Sequence, residues 1–169
     1  GSKEGVWSWG VTVTNIGPKL TYNSAEDLDY IPTNFRIGTA YQIKMDEFNS
    51  LTFALDFNKL LVPTPPIYRR DENGNLITDS NGNPEIESGK DPNRPLIAGM
   101  FGSFTDAPGG FSEEMQEMMI SFGVEYLYDK KLALRTGYFH ENINKGGRRY
   151  FTMGVGFNYK TLGFDFSYL

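Results

Sequence analysis

His140 is the only histidine among 169 residues, and cysteine is absent. A histidine does proton-transfer chemistry when a nucleophile or a substrate proton lies within hydrogen-bond reach. The spacing pairs no serine with His140, and its place at the end of an alternating run reads as a rim residue. Glu125 and Arg135 are the next pair that could do chemistry. On neighbouring strands they read as a structural ion pair rather than an acid–base couple. Two oxygen-rich stretches, Asp71-Glu-Asn-Gly-Asn75 and Asp79-Ser-Asn-Gly-Asn83, raise calcium. A helix–loop–helix calcium site wants glycine sixth, and here it is fourth. Asn-Gly pairs mark tight turns instead. No metal-ligand spacing, cofactor motif or catalytic constellation is present. These residues lead to the expectation of no catalytic site, so no enzyme, and of no cofactor and no metal.

The elements that would position these residues are strands. Trp7, Trp9, Val11 and Val13 alternate with Ser8, Gly10, Thr12 and Thr14. The same period of two runs through Phe35–Lys44, Leu51–Asn58, Ile120–Tyr128, Leu132–Tyr138, Phe151–Tyr159 and Leu162–Tyr168. Successive side chains on a strand point to opposite faces. One face is therefore large and aromatic. The other is rich in glycine and holds Arg36, Asp56, Glu125, Arg135 and Asp165. Their common parity predicts one shared face with at least one ion pair.

The connections alternate in length. Asp46–Ser50, Asp129-Lys130 and Lys160-Thr161 are short; Gly17–Thr33, the span from about Leu61 to Glu117 and Asn142–Arg148 are long. Outer-membrane barrels show this asymmetry, with short periplasmic turns and long outer loops. The expected fold is all-β: an antiparallel up-and-down outer-membrane barrel fragment of about seven strands. Glycines beside mixed charges suit a crowded barrel interior, where carboxylates and guanidiniums pair. The aromatic face then meets lipid. Tyr41, Tyr126, Tyr128 and Tyr159 sit at the short-turn ends, where an aromatic girdle belongs. The inverse reading is a soluble barrel with its aromatics inside.

Composition narrows this little. Aromatics are 15% of residues and the net charge is −5, which argues against nucleic acid. No apolar run is long enough for a membrane helix. Gly1-Ser2 reads as the scar of a cleaved tag, leaving 3–169 as one partial barrel domain with a long loop over 62–116. Seven strands would leave two edges, which invite pairing with another chain.

Within the long loop, Leu96, Met100 and Phe104 have helical spacing after Pro95. Asp106–Gly110 breaks that helix, and the stretch that begins at Phe111 is open between helix and strand. Pro65, Pro66, Tyr68, Phe101, Phe104 and Phe111 are apolar groups on a segment expected to be wet. Such a patch is either a partner site or a plug folded over the barrel mouth.

The motifs TNIGPKLTY (14–22), IPTNFRIG (31–38), FNKLLVPTPP (57–66), GMFGSFTDAPGGFSEEM (99–115) and GYFHENINKGGRRYFTMGVGFNY (137–159) together resemble the PorV family of outer-membrane proteins in the Bacteroidetes type IX secretion system. The resemblance is to the C-terminal half of a family member and implies a FadL-like barrel in a Gram-negative outer membrane. It implies that cargo is bound by its C-terminal signal domain as it leaves the SprA-type translocon. The cargo then passes to the PorU-type sortase for attachment to lipopolysaccharide. The implied partners are thus cargo, translocon, sortase and outer-membrane lipid, with no nucleic acid. The family motifs assign no single contact residue, so the six apolar residues are a choice from chemistry. The rival function is a FadL-like transporter of hydrophobic small molecules.

Overall fold

The computed structural model describes residues 5–21 and 28–169. The expected tag scar at Gly1-Ser2 and residues 22–27 of the first long connection lie outside the described residues. In chain order the elements begin with β1 (Gly5–Thr14), β2 (Leu20–Thr21), β3 (Leu28–Asp29), β4 (Asn34–Lys44) and β5 (Asn49–Leu60). Next come β6 (Ile67–Tyr68), β7 (Ile86–Ser88), α1 (Leu96–Gly102) and α2 (Phe111–Gln116). The chain ends with β8 (Met119–Tyr128), β9 (Leu132–His140), a short 3-10 turn at Ile143–Lys145, β10 (Arg149–Tyr159) and β11 (Leu162–Tyr168). The seven long strands are those the alternation predicted.

They form one sheet in the order β1-β4-β5-β8-β9-β10-β11. Each strand lies beside its predecessor among the long strands, which makes an up-and-down meander. The β5–β8, β8–β9, β9–β10 and β10–β11 pairs are antiparallel. Every short connection joins strands at one end of the sheet, and every long one joins them at the other. Asp129 and Lys130 both have positive φ (48° and 53°), and the Lys131 N–H donates to the Tyr128 carbonyl at 2.9 Å. That is the tight hairpin turn whose twist matches its strands. The sheet is open: β1 and β11 each have a neighbouring strand on one side only. Seven strands are fewer than the roughly eight of the smallest outer-membrane barrels.

The registers put the two faces where the alternation placed them. Glu125 stands opposite Arg135, and Arg135 opposite Gly154. On this small-residue face Ala133 is 2% exposed and Gly156 is buried. On the other face Trp9 is 79% exposed, Phe151 70% and Phe166 74%. The small residues near the middle of the glycine face are thus buried, and the aromatic face is open.

Contacts divide the chain into two compact units. The first comprises Gly1–Thr12, Arg36–Asn58 and Met118–Leu169; the second comprises Val13–Phe35 and Lys59–Glu117. Charge is divided unevenly between them. The second unit carries 13 acidic and 6 basic side chains, a net of −7, whereas the first carries 8 and 10, a net of +2.

Candidate functional site

The second unit holds the segment on which partner contacts were expected. Two short helices anchor it. Pro95 stands just before α1, where a missing N–H costs nothing. α1 buries Gly99 and Met100. A side chain at position 99 would meet the Tyr30 hydroxyl at 2.7 Å, so glycine lets the helix approach that ring. Tyr30 in turn donates to the Arg94 carbonyl at 2.5 Å, and the Lys19 ammonium sits 4.2 Å from its ring centroid. These contacts tie the first long connection to the second. The stretch from Phe111 is helical, with Glu113 and Glu114 in its first turn, where the helix dipole favours acids.

Between Ile67 and Ser88 the chain builds a small three-armed knob. The Arg69 N–H donates to Glu85 O at 2.8 Å, Glu85 N–H to Ile77 O at 2.9 Å, and Ile77 N–H to Arg69 O at 3.0 Å. The ring closes on itself with a period of eight residues. Two arms turn at the Asp-x-Asn-Gly-Asn repeats. Asp71 Oδ1 accepts the Asn73 and Asn75 N–H groups at 2.9 and 2.8 Å, and Asp79 does the same for Asn81 and Asn83. Gly74 and Gly82 share φ +84°, which a side chain rarely adopts. The Asn75 side chain, followed by the backbone N–H groups, holds the Asp71 carboxyl below its usual range. These carboxylates are engaged within their own turns. Among the described residues no cluster of three or more acidic, histidine or cysteine side chains could hold a metal.

A buried ionic cluster lies where β5 runs into the segment. Lys59 is 2% exposed. Its Nζ lies 3.0 Å from Glu114 Oε2 and 2.5 Å from Glu117 Oε2. Thr64 Oγ1 donates to Glu117 Oε1 at 2.8 Å, and the Ala107 N–H donates to Glu114 Oε1 at 2.8 Å. Sequence reasoning did not single out Lys59, Asp106, Glu114 or Glu117. A signal was present: Lys59 continues the parity of Phe53, Leu55 and Phe57, and a charge on an apolar face needs a partner.

The six apolar residues chosen for partner contact divide. Phe101 (75%) and Phe111 (80%) are widely exposed, and Pro65 is exposed. Tyr68 is half-buried on β6. Pro66 is buried, contrary to expectation; the backbone of Gly89, at φ +94°, packs close against it. Phe104 lies past the end of α1. It sets its edge on Phe35 (centroids 5.9 Å, 82°) and stays 41% exposed.

In the first unit the five charged residues do not form one network. Arg135 joins two of them: its Nε reaches Glu125 Oε2 at 2.6 Å and its Nη1 reaches Asp165 Oδ1 at 2.5 Å. Gly156 makes room, because a Cβ there would stand 2.5 Å from Asp165 Oδ1 and 3.0 Å from Arg135 Nη1. Arg36 instead donates to Asn58 Oδ1 at 2.6 Å. Asp56 lies over Gly38 and has no part in the Arg135 pairs. Asp56, Glu125 and Arg135 line an open cavity of about 410 Å³ on the glycine face, with Thr52, Ser121 and Thr152. His140 packs at 6.3 Å from the Tyr138 ring and pairs across the ladder with Ile120 and Arg149.

The loop after His140 is fastened by Glu141, whose side chain is 8% exposed. Arg148 donates to it from Nε at 2.8 Å and from Nη2 at 3.1 Å, a two-pronged pair. Arg148 holds the Glu141 carboxyl below the usual glutamate range. Gly146, at φ +134°, leaves the space that this carboxylate fills.

Among known protein families, residues 1–67 match the family described as PorV, Type IX secretion system protein PorV. The recognition made from motifs is borne out there; two of its five motifs, 99–115 and 137–159, lie beyond the matched residues. No curated protein matches the chain.

Proposed function

We propose, from a chain whose residues 1–67 match the family of the type IX secretion system protein PorV, an outer-membrane carrier of secreted cargo. It binds the C-terminal signal domain of the cargo on its long connections and passes the cargo from translocon to sortase complex. It works by binding and release, without catalysis. The observation that carries this reading is the combination of an open aromatic face with long connections at one end of the sheet only. An aromatic face that stays exposed on a seven-stranded sheet suits lipid, and long connections at one end suit the outer side of a membrane. The described residues contain no helix long and apolar enough to cross a membrane, so strands would have to do so. In a membrane the two edges of this sheet have to be paired rather than left open.

Phe101 and Phe111 are the anchors this reading selects, because exposed aromatic side chains dominate recognition once covered. The test is capture of a cargo C-terminal domain by full-length protein and by its Phe101→Ser/Phe111→Ser variant, at matched outer-membrane abundance. Recovery of cargo falls at least about tenfold if each ring contributes as a hot-spot residue. Equal recovery removes these residues from the binding surface.

A further inference from the structure

Asp106 stands apart among the buried groups. It is 2% exposed, and its Oδ1 has no hydrogen-bond partner. A buried carboxylate oxygen left without a donor costs free energy unless a ligand fills the gap. Its surroundings say which ligand fits. From β5 comes Lys59, whose ammonium is already shared between Glu114 and Glu117. From the stretch after β5 comes Thr64, whose N–H serves Asp106 and whose hydroxyl lies beside it while donating to Glu117. From α2 come Glu114 and Glu117, both acting on Asp106 as like charges. Glu113 on the same helix turns to the Gly109 N–H at 2.7 Å, and Lys90 reaches the Thr105 hydroxyl at 2.6 Å. The Lys59 ammonium and three carboxyl groups thus share this site. Among the described residues no group of three or more acidic, histidine or cysteine side chains could hold a metal ion, which leaves a proton as the ligand. A proton on Asp106 displaces nothing and removes its repulsion by Glu114 and Glu117.

We propose that Asp106 is a proton-binding site: its neutral acid fastens residues 103–117 to the end of β5, and its ionisation loosens them. Burial pushes this carboxyl above the usual aspartate range, and Glu114 and Glu117 push it further, against the hydrogen bonds from Thr64. An acid with a raised folded-state pKa adds stability below its unfolded value and loses it as pH rises through the folded value. The segment that carries Phe101 and Phe111 is therefore held most firmly in acid. This does not depend on what the segment binds.

Two measurements on the full-length protein decide it. The carboxyl carbon resonance of Asp106 should titrate with its midpoint above the ordinary 3.8. Amide exchange over residues 103–117, corrected for intrinsic rate, should lose protection as pH rises through that midpoint, by about tenfold for each unit of raised pKa. The Asp106→Asn variant, which keeps the neutral shape, should hold its protection across the same range. A midpoint at or below the ordinary value overturns the proposal. So does a variant whose exchange follows pH as the wild type does, since the titrating group would then be another. If Asp106→Asn does not fold, the wild-type midpoint alone decides.

Discussion

The two units of this protein are specified in different ways. In the sheet, each residue's face follows from its neighbours, because the backbone ladder satisfies the polar groups and leaves only parity to be chosen. Between Lys59 and Glu117 the ladder is confined to the small knob between Ile67 and Ser88. The chain is held there by contacts between residues far apart in sequence: Lys59 with Glu114, Thr64 with Glu117, and Ala107 with Glu114. A region built from a repeating local rule tolerates change at many points. A region built from a few buried polar contacts fails at any one of them.

Lys59→Ala should break this contrast most sharply. It leaves Glu114 and Glu117 buried without their cation, and losing one partner of a buried ion pair costs about 3–5 kcal/mol. Amide exchange should rise through residues 59–117 while β8–β11 keep their protection. Equal loss in both regions would mean that the units fold as one. A smaller effect is expected from Gly137→Ala in the sheet. The added Cβ would stand 2.9 Å from Thr152 Oγ1 and 3.2 Å from the Phe122 carbonyl oxygen. The second of these is backbone and cannot turn away. The cost is about 1–3 kcal/mol, confined to β8–β10, read as a shift in denaturant midpoint.

The smallest effect sharpens the comparison within the first unit. Glu141 is its own example of a polar fastening, closing a loop rather than a ladder. Its carboxyl is held low by Arg148, so its contribution is present above the ordinary glutamate value of 4.5 and lost as pH falls through the depressed value. Glu141→Gln should cost about 1 kcal/mol at neutral pH and nothing in acid, measured as exchange of the Lys145 and Gly147 amides. Loss of the same size in acid would show that the amide disturbs packing rather than charge.

Much of the fold was legible in the residues. Phe151–Tyr159 and Leu162–Tyr168 declare their strands and their shared turn because period two is a local property. The candidate site was less so. Phe101 and Phe111 were expected to be exposed because they fall outside the strands on a segment expected to be wet, and they are; Pro66 was expected to be so too, but its burial depends on Gly89, more than twenty residues away.

Sequence alone determined the strands, their faces and the rhythm of short and long connections, since each follows from alternation within about ten residues. It also carried the PorV-family signature over residues 1–67. The Glu125–Arg135 pair was legible from adjacent strands, but tertiary structure decided which other charges meet. Arg135 takes Glu125 and Asp165 while Arg36 turns to Asn58, because strand register sets who stands across the sheet. It closed the 69–77–85 backbone ring and buried Lys59 between two glutamates more than fifty residues away. Contacts of that range leave no periodic trace in the chain. They exist only once folding has brought their donors and acceptors out of water together.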